Sequence, residues 1–268
     1  MNNQPIGIFD SGLGGLTCVK EVMKLLPNED IIYFGDTSRV PYGTRSSDTI
    51  IKYVRQDINF LKTFDIKMII IACGTASSTA LSAVYNDYDI PIMGVVEPAS
   101  VDAVSLTKNG KIGVLGTTGT INSGKYSEFI CELNPTIEVV SQSCPLFVPL
   151  VENGYLNGEI PTLIAREYLK PLIDAEVDTI ILGCTHYPLL SDVIYNIVGR
   201  DINLVNPGQR AAIYAAETLA YCGANTSGKP GTARYFVSDS VEGFSTLGGM
   251  FLEREITDNV RKIDIEKY

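Results

Sequence analysis

The chain has 268 residues, 45% hydrophobic and 19% charged, with a formal net charge of −10. That composition is globular, and the length suits one large domain or two modest ones. The acidic balance argues against a nucleic-acid partner, which needs clustered Lys and Arg, and no apolar run reaches membrane-spanning length. In chain order, residues 5–10 read as a strand, 11–15 as a Gly-rich turn, and 16–26 as a helix stopped by Pro27. A strand at 31–36, a polar loop holding Pro41-Tyr42-Gly43 and a helix over 47–63 follow. Next come a strand at 68–73, a helix beginning near Ser77 and a fourth strand at 91–96. After Glu97-Pro98 the pattern restarts, with a strand at 111–116, a turn at 117–120, a helix over 126–133, a strand at 137–140 and a helix over 161–175. A short apolar strand around 180–182 precedes a helix running from Asn206-Pro207-Gly208 to Cys222. A linker at 224–231, a strand at 233–237 and a helix near 241–253 close the chain.

Alternating strands and helices predict parallel sheets flanked by helices. The two halves align coarsely, each with a Gly-containing strand, turn and helix first and a cysteine-ended strand later. The expectation is an α/β protein of two similar domains with the active site in the cleft between them. The first domain would be 1–97 plus 208–268, carrying Cys73, because the tail is too small to stand alone. The second would be 98–207, carrying Cys184.

Met1-Asn2-Asn3-Gln4-Pro5 leads straight into a strand, so the expectation is no signal peptide, a cytoplasmic address and six reduced cysteines. Cys18, Cys131 and Cys222 fall in helix-like segments and read as core residues, as does Cys144 before Pro145. With a single histidine and no C-x-x-C spacing, a metal site is not expected.

Two stretches stand out. Met68-Ile69-Ile70-Ile71-Ala72-Cys73 and Ile180-Ile181-Leu182-Gly183-Cys184 are both apolar strands that end in a small residue and a cysteine, with a threonine within two positions. Ligands of open α/β sheets bind at the carboxyl ends of strands. A thiol there lies near the positive end of a following helix, which predicts a lowered pKa. Two thiols facing each other across a cleft suit inversion of a stereocentre: one removes a proton while the other delivers one to the opposite face.

Other patterns compete. Gly12-Leu13-Gly14-Gly15 imitates a dinucleotide fingerprint but has Thr17 where the third glycine belongs, and reads better as a βα turn or small-anion turn beside Asp10 and Ser11. Residues 119–125 start like a phosphate loop, but Tyr126 replaces the hydroxyl expected next. Cys184 with His186 suggests a cysteine hydrolase, a reading that leaves Cys73 dispensable. A non-catalytic binder of small amino acids would have no use for paired thiols.

Taken together, Ile8-Phe9-Asp10-Ser11-Gly12-Leu13-Gly14-Gly15-Leu16-Thr17, Gly35-Asp36-Thr37, Pro41-Tyr42-Gly43, Ala72-Cys73 with Thr75-Ala76, Pro149-Leu150-Val151-Glu152 and Gly183-Cys184-Thr185-His186-Tyr187-Pro188 resemble the glutamate racemases of the aspartate/glutamate racemase superfamily. The resemblance runs from about residue 5 to 222. It implies cofactor-independent interconversion of L- and D-glutamate, supply of D-glutamate for peptidoglycan, and a homodimer. It further implies that Cys73 deprotonates D-glutamate and Cys184 deprotonates L-glutamate. Asp10, Ser11, Tyr42, Gly43, Gly74, Thr75, Thr185 and His186 would line the substrate site. Asp10 would support Cys73, and His186 with Glu152 would support Cys184. An aspartate racemase is the alternative within the superfamily. The family usually has Asn after the first cysteine, where this chain has Gly74; a water, Ser77 or Ser78 is expected to replace the lost amide.

Overall fold

A computed structural model describes residues 2–226, 228, 230–256 and 259–268. Of the expected linker, Ser227 and Lys229 lie outside the described residues, as does Met1 of the N-terminal segment. Among those described, two all-parallel sheets organise the chain. The first runs β10-β9-β2-β1-β3-β4, built from β1 (Ile6–Asp10), β2 (Ile31–Gly35), β3 (Met68–Ile71), β4 (Ile92–Gly94), β9 (Ala233–Val237) and β10 (Val260–Lys262). The second runs β6-β5-β7-β8, from β5 (Lys111–Gly116), β6 (Glu138–Ser143), β7 (Thr179–Leu182) and β8 (Asn203–Val205). The tail extends the first sheet: β9 pairs with β2, Ile31 opposite Ala233, and β10 pairs beyond it.

The strand cores follow the two-residue alternation of side chains. Ile6, Ile8, Ile31, Tyr33, Met68 and Ile70 pack on one face of the first sheet, and Phe9, Ile32, Phe34, Ile69 and Ile71 on the other. Burial on both faces explains why these strands read as unbroken apolar runs. Helix α1 (Leu16–Leu25) packs against α10 (Pro207–Tyr221), which brings the chain back from β8 to the first sheet. Among the described residues, no helix is long and apolar enough to cross a membrane.

Several boundaries differ from expectation. β3 stops at Ile71, and α3 (Gly74–Val84) starts at Gly74 rather than near Ser77, because the Cys73 sulfur accepts the Ala76 N–H and caps the helix. β4 stops at Gly94, and Glu97-Pro98 opens α4 (Val96–Leu106) instead of breaking the chain, since proline is tolerated in a helix's first turn. The expected turn at 117–120 is α5 (Thr118–Asn122), capped by the Thr117 hydroxyl. α7 (Phe147–Glu152), α9 (Ser191–Val198), β8 and β10 had no sequence expectation. Cys131 and Cys222 are exposed rather than core. α6 (Lys125–Leu133) buries the face of Tyr126 and Ile130, which Cys131 misses, and Cys222 lies at the C-cap of α10. Cys18 and Cys144 are buried as expected.

Candidate active site

Register sets the site. β1 and β3 are neighbours, with Phe9 opposite Ile71, so Asp10 and Cys73 emerge together where the strands end. β5 and β7 are neighbours with Leu115 opposite Leu182, so Thr117 and Cys184 emerge together in the same way. The two strand ends border one cleft of about 340 Å³, a volume within the range of small-molecule sites.

Ser11, Tyr42, Gly43, Cys73, Gly74 and Thr75 line it from the first sheet. Glu152, Cys184, Thr185 and His186 line it from the second. Asp10 lies behind this surface, fully buried, accepting the Gly12 N–H at 2.9 Å and the Thr185 hydroxyl at 3.4 Å. Tyr42 reaches the cleft, but its hydroxyl is engaged elsewhere, 2.6 Å from Asp36 and 3.1 Å from Asp57. The expected substitutes for an Asn amide are also engaged: the Ser77 Oγ accepts the Val95 N–H at 3.0 Å, and the Ser78 hydroxyl donates to the Thr75 carbonyl.

The walls are supported differently. Cys73 Sγ is 3.4 Å from the Ser11 Oγ and takes the Ala76 N–H at 3.4 Å. Cys184 Sγ is 3.9 Å from His186 Nδ1, and His186 Nε2 is 3.1 Å from Glu152 Oε1. The His186 ring rests edge-on against Phe251 of α11 (Val241–Leu252), so the tail also packs behind the second wall. Between the walls, the hydroxyls of Thr75, Thr117 and Thr120 lie within 2.8–3.2 Å of one another.

The expected lowering of the thiol pKa values does not hold. Burial, then the Asp10 charge, pushes Cys73 up to about 11, against the opposing pull of Ser11 and the Ala76 N–H. Burial also pushes Cys184 up, opposed by the His186 N–H and increased by the charges of Cys73 and Asp10. Burial wins although Cys73 caps α3 and the 3-10 turn after Cys184 (Tyr187–Leu190) runs straight into α9. Burial raises Asp10 as well, with His186, the Gly12 and Gly15 N–H groups and Thr185 opposing it. The Cys73 charge thus acts on Cys184, and two thiolates disfavour each other in one buried cleft.

Sequence reading missed Thr117, Thr118, Cys144 and Val148, which border the cleft. Thr117 follows the end of β5, so the strand-end rule could have singled it out. Cys144 likewise follows the end of β6, which runs three residues beyond the expected strand end at 140, whereas Val148 carries no such signal and looks like core.

The family model described as Asp/Glu/Hydantoin racemase matches residues 16–215. A glutamate racemase of Geobacter metallireducens is 47% identical over 264 residues, covering 97% of both chains. The crystal structure of a Bacillus anthracis glutamate racemase superposes with a TM-score of 0.95 at 36% identity, covering 98% of both chains. A Francisella tularensis glutamate racemase, solved in complex with D-glutamate, superposes with a TM-score of 0.93 at 40% identity over the full length of both. With matched strands delivering a cysteine to each side of one cleft, and these relatives along its whole length, the chain belongs to the Asp/Glu/hydantoin racemase family.

Proposed function

We propose that the protein interconverts L- and D-glutamate by a two-base mechanism, with Cys73 and Cys184 as the proton carriers. The observation that supports this reading is that two thiols, from separate sheets, line one cleft. Inversion needs one thiolate and one thiol, and once one sulfur ionises its charge raises the pKa of the other, which keeps the second proton in place. The thiolate takes the proton from the α-carbon, and the opposing thiol then donates its own to the other face. The pair ends with its proton on the opposite sulfur, ready for the reverse reaction.

Each wall has its own support in this reading. Asp10 and Ser11 position Cys73. Glu152 orients His186, whose Nδ1 faces Cys184. The first turn of α3, with Gly74 and Thr75, and the backbone at Gly43 and Thr185 offer N–H donors suited to the substrate carboxylates. The domains 1–97 plus 208–268 and 98–207 each supply one thiol, the split falling in the first turn of α4. A homodimer in the cytoplasm, supplying D-glutamate to peptidoglycan synthesis, completes the proposal.

The test is circular dichroism of each glutamate enantiomer with the purified protein in deuterated water, with aspartate in parallel and no added cofactor. Decay of the signal to zero with deuterium at the α-carbon is expected for glutamate. A stable signal with no deuterium would overturn the reading, and racemisation of aspartate alone would reassign the substrate.

A further inference from the structure

Gly12-Leu13-Gly14-Gly15 is a motif that neither thiol explains. The N–H groups of Gly12 and Gly15 both bond the Asp10 carboxyl, so the anion this turn serves is a side chain of its own strand. Gly14 faces something else: the turn Cys184-Thr185-His186, which comes from the end of β7 in the second sheet. A methyl carbon built on Gly14 would overlap the Thr185 hydroxyl and the His186 imidazole at Nδ1, the nitrogen that faces Cys184. A threonine side chain can rotate away from such an overlap. The imidazole has less freedom, because its Nε2 lies 3.1 Å from Glu152 and its ring meets Phe251.

Two further contacts bind the same turn to elements of the first sheet. The buried Thr17 hydroxyl, in the first turn of α1, donates to the Thr185 carbonyl at 2.9 Å. It lies equally near the Gly14 carbonyl, but that oxygen already takes the Thr17 N–H at 3.0 Å. From α11, which packs on α1, the buried Phe251 ring stands 5.4 Å from the imidazole, centroid to centroid, and nearly perpendicular to it. Glu152 of α7 thus fixes one ring nitrogen, while Gly14 and Phe251 limit where the ring can lie and Thr17 holds the peptide that leads into it.

We propose that the glycine-rich turn is the seat of the Cys184 wall: Gly14 is a positioning residue that, with Thr17 and Phe251, holds the His186 imidazole with Nδ1 towards Cys184. The second wall is then set in part by the first sheet. The effect on rate rests on the two-base reading; the seating of the imidazole does not.

The experiment compares Gly14→Ala, Phe251→Leu and Thr17→Val with the wild-type protein, the first two also in a His186→Asn background. It measures kcat, KM, thermal melting and the imidazole nitrogen resonances, which belong to His186 alone because the chain has one histidine. Those resonances report which ring nitrogen carries the proton. A misplacement of about 1 Å costs on the order of 100-fold in rate, so Gly14→Ala should lose about that much kcat, with the proton no longer confined to Nε2. Phe251→Leu should lose about threefold, the scale of one aromatic pair, with the same change in the resonances. Thr17→Val should lose about tenfold, and Thr17→Ser, which keeps the hydroxyl, should recover most of it. In the His186→Asn background the losses at positions 14 and 251 should largely vanish, since the group they position is gone. Wild-type kcat in Gly14→Ala, or an equal loss in the His186→Asn background, would overturn the proposal. If Gly14→Ala does not fold, Phe251→Leu decides by the same two readings. A wild-type protein that racemises nothing sinks the two-base reading, whereas imidazole resonances undisturbed in Gly14→Ala sink the seat alone.

Discussion

His186 links Glu152 to Cys184: its Nε2 lies 3.1 Å from the Glu152 Oε1, and its Nδ1 lies 3.9 Å from the Cys184 Sγ. A carboxylate at Nε2 keeps the proton there and leaves Nδ1 as the acceptor facing the thiol. We predict that His186→Asn lowers kcat/KM by about 100-fold and that Glu152→Gln has a smaller effect of the same sign. Because enantiomers have equal free energy, kcat/KM must fall equally in both directions. The asymmetry appears instead in isotope effects: in Glu152→Gln the primary effect with α-deuterated L-glutamate should rise more than that with α-deuterated D-glutamate. Equal isotope effects would detach His186 and Glu152 from Cys184.

The cysteine variants carry a sharper expectation than loss of activity. Cys73→Ala and Cys184→Ala should both fail to racemise, yet each retains one base on one side of the cleft. The remaining base can remove an α-proton and return a deuteron to the same face. We predict slow α-deuteration of L-glutamate without inversion by Cys73→Ala, and of D-glutamate by Cys184→Ala, read by proton NMR in deuterated water. Normal turnover by either variant rejects the two-base assignment.

The raised thiols predict how pH acts. Well below its pKa, a thiol gains thiolate about tenfold per pH unit, and Cys73 sits at about 11. The kcat/KM should therefore rise from neutral pH into the alkaline range, then fall once the opposing thiol also ionises. Stability moves the other way. Burial holds Cys18 at about 12 and Cys73 at about 11 in the fold, against 9.0 for an ordinary thiol. Above pH 9.0 the unfolded chain loses protons that the native state keeps. The stability present below that pH is then lost towards the folded values, with a slope of up to about 1.4 kcal/mol per pH unit per thiol. Urea titrations between neutral and alkaline pH should show this decline, and Cys18→Ala should make it shallower. A flat profile would show that these thiols are not desolvated.

The fold class was legible because β1, β3, β5 and β7 are buried on both faces and therefore appear as short apolar runs between helical patterns. Cys73 and Cys184 were legible for a related reason: each ends such a run, where side chains leave the core and reach the cleft. The pKa direction was misread, because helix position can be seen locally while burial is a property of the whole packing. Gly74 reads along the chain as a missing side chain, and its close approach to the Gly183 carbonyl shows only in the packing. β10 and β8 are three residues each and draw their definition from the neighbours they pair with, β9 and β7.

Arg39 ties the loop that carries Tyr42 and Gly43 to the body of the first sheet. Its guanidinium donates to Asp36 at 2.5 Å, to Gln56 at 2.6 Å and to Asp57 at 3.0 Å, with Glu266 of the tail 3.5 Å away. The Tyr42 hydroxyl sits between the same two carboxyls, and the Ser238 hydroxyl donates to Asp36 from beyond β9. Removing one partner from a buried charge cluster costs about 3–5 kcal/mol. We therefore predict that Arg39→Ala loses stability of that order in urea titrations and raises KM, since Tyr42 and Gly43 form part of the cleft wall. Arg39→Lys keeps the charge but not the planar fork, so it should fall between. Burial and the Asp36 charge raise the pKa of Asp57, favouring its neutral form. Asp57→Asn should accordingly be far better tolerated than Arg39→Ala. Equal losses in the two variants would mean that Asp57 is needed as an anion, and that the cluster holds the loop by paired charge rather than by hydrogen bonds from one guanidinium.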